Sequence, residues 1–191
     1  MSVIKFIKNF YYEPHTIGAV CPSSSALSKK IIMDIGLEKA SSVVELGPGT
    51  GVFTKKILNT VNKNCNFFAI ELNEDFYAIL RKKYPKLKIY NGSAVSLKEF
   101  TKIEKIKEVD VIVSGLPWAS FSPQLQIQIL NSVLDVLKPG GIFTTFAYVQ
   151  GTFLPKGIRF SHLIKKKFSH VYKTSIVWRN IPPAFAYRCI K

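Results

Sequence analysis

The sequence has few cysteines and no long apolar run, and these absences exclude several classes of protein. Its three cysteines, Cys21, Cys65 and Cys189, are far apart and form no C-x-x-C pair, so neither a disulfide framework nor a zinc site is expected. No run reaches about 18 apolar residues, which argues against a transmembrane helix. Because Lys5 and Lys8 interrupt the apolar residues at the N-terminus, we expect no secretory signal and a cytoplasmic protein.

Acidic residues are also missing from the last part of the chain. Residues 136–191 carry ten basic and no acidic side chains, whereas residues 34–135 carry 13 basic and 11 acidic ones. The net charge of +15 is therefore concentrated towards the C-terminus. This segregation favours a polyanionic partner, either nucleic acid or an acidic membrane surface. The length and the 47% hydrophobic content suit a single domain, residues 1–191.

The most informative motif is a glycine-rich turn that follows an apolar segment. Residues 43–51 read VVELGPGTG and precede a predicted helix at 52–61. A dinucleotide-binding G-x-G-x-x-G/A turn needs glycine or alanine where this chain has Val52, so that fingerprint fails. Glu45 stands two residues before the first glycine, where a carboxylate would repel a pyrophosphate but attract an ammonium group. The motif resembles the cofactor loop of class I S-adenosylmethionine (SAM) methyltransferases.

This resemblance implies SAM as the cofactor, with no metal, and suggests which residues bind it. The glycines let the backbone approach the cofactor, Glu45 lies near its methionine ammonium, and Glu71 accepts both ribose hydroxyls through its two oxygens. Ser93 stands where the family usually has an aspartate near the adenine. The expected cofactor-binding residues are Glu45, Gly47, Gly49, Gly51, Glu71, Leu72, Ser93, Ala94 and Ser114.

Alternating apolar strands and amphipathic helices predict an α/β fold. We expect a Rossmann-like class I methyltransferase domain with a doubly wound, mostly parallel seven-stranded sheet and an antiparallel last strand. The predicted strands cover 42–46, 66–71, 87–91, 109–114, 142–149, 169–179 and 184–190. The predicted helices include 52–61 and 159–167, and two others begin at the caps Asn73 and Ser122.

The segment after the fourth predicted strand, Ser114–Trp118, reads SGLPW. It resembles the Asn-Leu-Pro-Tyr segment of amino methyltransferases, in which main-chain carbonyls and an Asn or Asp side chain hold the acceptor amine. Gly115 takes the place of the Asn, so an adenine amine loses its anchor, whereas a deprotonated aliphatic amine needs only positioning and desolvation. The expected catalytic residues are Gly115, Leu116 and Tyr148, and Trp118 is expected to contact the substrate.

Two further segments make the resemblance more specific. GAVCPSS at 18–24 and WRNIPPA at 178–184, together with the motifs above, are similar to the bacterial phospholipid N-methyltransferases over nearly the whole chain. That family methylates phosphatidylethanolamine and its methylated intermediates, toward phosphatidylcholine, at the inner face of the cytoplasmic membrane. The resemblance implies a peripheral, monomeric membrane enzyme without a stable nucleic-acid partner, in which Arg179, Asn180 and Tyr148 bind the phospholipid.

The pattern of residues 2–11 predicts a short amphipathic helix that docks on the membrane. Its apolar face is formed by Val3, Ile4, Ile7, Phe10 and Tyr11. Lys5 and Lys8 lie off this face, where they would meet lipid headgroups. The family resemblance implies the same role, because its members dock through an N-terminal amphipathic helix.

Two other acceptors remain open at the level of the sequence. An RNA adenine N6-dimethyltransferase agrees with the basic charge and with the Leu-Pro-aromatic segment. Gly115 argues against it, as does the predicted sheet, which uses the chain to its end and leaves no C-terminal helical domain. An ornithine-lipid N-methyltransferase would use the same amine chemistry, and the sequence does not distinguish that headgroup from phosphatidylethanolamine.

Overall fold

The structure is a computed structural model that describes residues 24–191. Seven strands form one sheet in the order β3-β2-β1-β4-β5-β7-β6. The strands are β1 (Ser42–Leu46), β2 (Asn66–Glu71), β3 (Lys88–Asn91), β4 (Val109–Ser114), β5 (Leu137–Tyr148), β6 (His170–Lys173) and β7 (Ala184–Ile190). The first five are parallel, and β7 is antiparallel to both β5 and β6. The predicted fold class is therefore confirmed.

Six α-helices connect these strands in the described part of the chain. They are α1 (Ser25–Ile32), α2 (Val52–Leu58), α3 (Glu74–Lys83), α4 (Leu97–Ile103), α5 (Pro123–Val136) and α6 (Pro155–Lys167). Both predicted caps are confirmed: Phe76 N donates to Asn73 Oδ1 at 3.0 Å, and Leu125 N donates to Ser122 Oγ at 3.2 Å. The predicted helix 2–11 lies outside the described residues.

Several boundaries differ from the prediction. Strand β5 begins at Leu137 and not at residue 142, and α2 ends at Leu58 and not at residue 61. The run 169–179 forms a strand only over β6, and beyond it Val177 pairs with Ala184 of β7 at a single isolated bridge. Helix α6 begins at Pro155 and not at Arg159, since proline is well suited to the first turn of a helix, where its missing N–H is not needed.

Apolar side chains cover both faces of the sheet, as a doubly wound fold requires. One face packs against α1, α2 and α3 through Leu27, Ile31, Phe53, Ile57 and Leu80. The other packs against α4, α5 and α6 through Leu97, Leu130, Val133, Phe160 and Ile164. The carboxyl ends of the parallel strands therefore meet at one edge, where this class of sheet binds its ligands. In residues 24–191 no helix is long and apolar enough to cross a bilayer.

Candidate active site

The glycine-rich turn joins the carboxyl end of β1 to α2. Gly47, Gly49 and Gly51 have φ angles of +67°, +55° and +81°, a left-handed conformation in which any other residue is strained. Gly47 N also donates to Ile70 O at 2.9 Å, which fixes the turn against β2. The spacing of the glycines is thus required by the backbone path itself.

Glu71 ties this turn to the start of α3. Its Oε2 accepts a hydrogen bond from Gly49 N, and its Oε1 accepts one from Asn73 N, both at 2.9 Å. Burial raises the pKa of Glu71, and these hydrogen bonds oppose the rise. Each carboxylate oxygen can accept a second hydrogen bond, so the predicted ribose contact is compatible with this geometry and stays a prediction.

Glu45 is fully buried beneath the turn. Its Oε2 accepts a hydrogen bond from Thr54 Oγ1 at 2.7 Å, whereas its Oε1 has no partner among the described residues. Burial raises the pKa of Glu45 to about 8, and the nearby Glu71 adds to the rise while Thr54 opposes it. An unpartnered buried carboxylate oxygen needs a donor, and a cofactor ammonium, directly or through water, would satisfy it.

A cavity, here called the donor cavity, opens beside the turn. Five of the predicted cofactor-binding residues line it, namely Gly47, Glu71, Leu72, Ser93 and Ala94. The prediction missed the apolar wall opposite, formed by Gly92, Pro117, Phe121, Leu125 and Ile129. The amphipathic pattern of α5 marks Leu125 and Ile129 as inward-facing but does not separate a cavity wall from the core.

The predicted cofactor role of Ser114 is not supported by its surroundings. Ser114 is fully buried, and its hydroxyl oxygen lies 3.3 Å from both Leu116 N and the indole Nε1 of Trp118, which can donate to it. The side chain therefore holds the segment that follows β4 and does not line the donor cavity. Ser93 does line the donor cavity, and its Oγ also caps a short 3-10 turn by accepting a hydrogen bond from Val95 N at 3.2 Å.

Gly115 is a position of close backbone approach. A Cβ added there would lie 2.4 Å from Gly47 O, and Gly115 N donates to Leu46 O at 2.8 Å. The missing side chain, which the sequence linked to the choice of acceptor, is therefore also required to bring β4 against the glycine turn.

A second cavity, here called the acceptor cavity, shares Leu116 and Pro117 with the donor cavity. It lies between β5, the 3-10 segment Gln150–Phe153 and α6. None of the residues within 24–191 that line it is charged. Its aromatic lining consists of Trp118, Phe146, Tyr148, Phe160 and Tyr187. The structure thus brings the predicted residues Leu116, Trp118 and Tyr148 together around one space.

Trp118 lines the acceptor cavity as part of the core and not as a free stacking platform. It is only 3% exposed, and its ring stacks on Phe160 with centroids 4.5 Å apart. Its indole Nε1 donates to Thr145 Oγ1 at 2.9 Å. These contacts fix the ring in the core, and its predicted contact with the substrate stays a prediction.

Asn180 has a structural role, and its predicted substrate contact stays a prediction. Its Oδ1 accepts a hydrogen bond from Ser24 N at 2.9 Å, and its Nδ2 donates to Pro182 O at 2.7 Å. The neighbouring Arg179 is exposed and has no hydrogen-bond or ion-pair partner within residues 24–191. Its predicted contact with a lipid phosphate stays a prediction.

The fold and the site define a class I methyltransferase, and comparisons with known proteins identify its family. The family described as ribosomal RNA adenine dimethylase matches residues 23–153. An ornithine lipid N-methyltransferase from Singulisphaera acidiphila is 32% identical over 187 residues, which cover 96% of this chain and 93% of that protein. The ribosomal RNA small subunit methyltransferase A of Malacoplasma penetrans is 31% identical over 144 residues, covering 71% of this chain but 50% of that protein.

Solved structures share the fold at low sequence identity. An O-methyltransferase from Bacillus cereus in complex with SAH has a TM-score of 0.67 at 14% identity, covering 98% of this chain and 89% of that one. TomG from Streptomyces achromogenes, an O-methyltransferase in complex with SAM, has a TM-score of 0.68 at 14% identity, covering 98% and 88%. The chain belongs to the ribosomal RNA adenine dimethylase family of SAM-dependent methyltransferases, and its cofactor is SAM. Residues 24–191 contain no cluster of three or more metal-ligating side chains.

Proposed function

We propose that the protein methylates the amine of an aminolipid headgroup, phosphatidylethanolamine and its methylated forms, as a monomeric peripheral enzyme on the inner face of the cytoplasmic membrane. The observation that carries this proposal is the uncharged, aromatic acceptor cavity that adjoins the donor cavity at Leu116 and Pro117. Ornithine lipid is a second candidate acceptor, favoured by the relative that matches along almost its full length.

The uncharged lining suits an aliphatic amine that must lose its proton before it reacts. A carboxylate beside the amine would stabilise the ammonium form, whereas an apolar cavity penalises that charge and lowers the pKa of the amine. When bound, SAM supplies an electrophilic methyl group, which passes to the amine nitrogen while the electrons of the broken C–S bond stay on sulfur. The main-chain carbonyls of Gly115 and Leu116 are proposed to orient the amine N–H groups towards this position.

The aromatic lining also suits the methylated products. Phe146 and Tyr148 meet edge to face with centroids 5.3 Å apart at the end of β5. Ring faces attract ammonium groups that carry methyls, because such cations are weakly hydrated. Each added methyl group weakens the hydration of the ammonium and so reduces its penalty in the cavity, which would let a partly methylated amine stay for another round of transfer.

RNA adenine is the competing acceptor, and two contacts argue against it. Trp118 is only 3% exposed and its ring stacks on Phe160, which leaves little ring surface for a base. The Cβ of an asparagine at position 115 would lie 2.4 Å from Gly47 O, so this backbone has no room for the side chain that anchors an adenine amine in related enzymes.

Incubation with methyl-labelled SAM tests the proposal. Parallel reactions contain vesicles of phosphatidylethanolamine, vesicles of ornithine lipid, or unmodified ribosomal RNA. Label in either aminolipid supports the proposal and identifies the headgroup. Label in RNA alone would overturn it.

Arg179 provides a finer test, because a guanidinium binds phosphate in a bidentate manner that an ammonium cannot reproduce. We expect both Arg179→Ala and Arg179→Lys to lower methylation of a dispersed short-chain phosphatidylethanolamine by about tenfold, or ~1.4 kcal/mol, with SAM affinity unchanged. Arg81→Ala, which removes an exposed arginine of α3, is the matched control. Activity of Arg179→Ala within twofold of the control would remove Arg179 from the binding site.

A further inference from the structure

Two segments leave large apolar side chains in solvent at the carboxyl edge of the sheet. In segment 150–158, after β5, Phe153 is 75% exposed, and Leu154 and Ile158 are also exposed. In segment 174–183, before β7, Trp178 is 71% and Ile181 is 74% exposed. A single exposed apolar residue is common, but several large ones in neighbouring segments mark an interaction surface.

These two segments, here called the apolar rim, are joined beside the acceptor cavity. Val149 N donates to Pro183 O at 2.9 Å, and Tyr148 pairs with Ala184. Leu154 is exposed and also lines the acceptor cavity. The rim therefore lies where the cavity reaches the protein surface.

The charge around the rim selects the kind of partner. Lys156, Arg159 and Arg179 are exposed within or next to the two segments, and no acidic residue follows residue 135. Exposed apolar side chains with basic neighbours suit the interface of an anionic bilayer, where the apolar groups enter the acyl boundary and the cations meet headgroups. Nucleic acid would use the cations and could stack bases on the aromatic rings, but it offers little to bury the aliphatic Leu154, Ile158 and Ile181.

The first described residue is attached to the same rim. Ser24 N donates to Asn180 Oδ1, between Trp178 and Ile181. The described part of the chain therefore begins at the rim.

We infer that the apolar rim is a membrane-docking surface whose occupant is the headgroup and upper acyl region of an anionic lipid leaflet. This inference rests on the proposed function and adds the face by which the enzyme meets its substrate. With the rim in the leaflet, a lipid amine would reach the acceptor cavity without leaving the bilayer.

Vesicle flotation of the full-length protein tests the inference. The vesicles contain phosphatidylcholine with or without phosphatidylglycerol. We expect the triple variant Phe153→Ser, Trp178→Ser, Ile181→Ser to bind phosphatidylglycerol vesicles at least about tenfold more weakly than wild type. The matched control is Ile79→Ser, Ile103→Ser, which removes two exposed apolar residues from α3 and α4. Wild-type affinity of the triple variant would overturn the inference.

Tryptophan fluorescence gives a direct signal, because Trp178 is exposed and the other tryptophan, Trp118, is buried. Addition of phosphatidylglycerol vesicles is expected to shift the emission to shorter wavelength in wild type and not in Trp178→Phe. No shift on binding would place Trp178 outside the leaflet and overturn the inference. So would binding that is lost only when residues 2–11 are deleted, or rim variants that change only the oligomeric state.

The two proposals fail in different ways. Methylation of a dispersed short-chain phosphatidylethanolamine does not need docking, so the triple variant is expected to keep this activity and its SAM affinity. If the triple variant lost this activity and its SAM affinity but bound vesicles as wild type does, the docking role of the rim would be contradicted and the proposed function would not. Vesicle binding by an intact rim, with no label transferred to any aminolipid by wild type, would contradict the proposed function and leave the docking surface in place.

Discussion

The donor and acceptor cavities meet at Leu116 and Pro117 but are built in different ways. The donor cavity depends on backbone: left-handed glycines, and a carboxylate, Glu71, held by two main-chain N–H groups. The acceptor cavity is lined by apolar and aromatic side chains from segments far apart in the chain. A backbone-built site fits one fixed ligand closely, whereas a side-chain-built site can change its acceptor without changing the fold.

The largest expected effect is a loss of SAM affinity, caused by a change at the donor cavity. Gly115→Ala would place a Cβ 2.4 Å from Gly47 O and force β4 away from the glycine turn. We expect SAM affinity to fall by roughly 10- to 100-fold, about 1.4–2.8 kcal/mol, when measured by calorimetry.

Gly140→Ala is the control for this change, because Gly140 has a φ of +73° but nothing within 4 Å of an added Cβ. It should cost about 1–2 kcal/mol of folding stability with SAM affinity unchanged. Equal SAM affinity in the two variants would mean that the contact between Gly115 and Gly47 does not shape the donor cavity.

The matching change in the acceptor cavity is Gly157→Ala. Its Cβ would lie 2.0 Å from Gly151 O, so the 3-10 segment that forms one wall of the cavity must move. We expect kcat/KM for aminolipid to fall by about tenfold while SAM affinity stays within about twofold of wild type. A parallel loss of both quantities would show that the two cavities are not separable.

A smaller effect is expected from Glu45→Gln, and its sign follows from the pKa. The folded-state pKa of about 8 lies above the ordinary value of 4.5, so the folded chain binds more protons between these values, and its stability falls as pH rises through this window. Glutamine cannot ionise, so without SAM the variant should melt roughly 3 °C higher than wild type at pH 8 and show a smaller difference at pH 5. SAM should stabilise it less than wild type. An unchanged pH dependence of melting would contradict the assignment.

The same contrast explains what the sequence could predict. The glycine turn, Glu71 and the Asn73 cap depend on neighbours close in the chain, so their spacing predicts their geometry. Trp118 and Asn180 are oriented by distant partners: Thr145 and Phe160 fix the first, and Ser24 binds the second. The sequence predicted both side chains at the substrate. It could not show these partners, because resemblance to a motif does not report contacts made across the fold.

The exposed residues of the apolar rim were also beyond sequence reasoning. Phe153, Leu154 and Ile158 are exposed. Periodicity alone would equally assign the apolar residues of this segment to the buried face of α6. Only the position of Gly157 against Gly151 shows which side of this segment faces inward.

The pH dependence of single-turnover methyl transfer most directly tests the central claim that an uncharged cavity receives an aliphatic amine. With enzyme saturated with SAM and a sub-saturating amount of dispersed short-chain phosphatidylethanolamine, the rate of transfer should rise about tenfold per pH unit below the pKa of the free amine, because only the neutral amine reacts and none of the lining residues within 24–191 is a carboxylate. A rate that is flat from neutral to alkaline pH would contradict this account, since it would require a carboxylate or histidine base, which the described lining residues do not include.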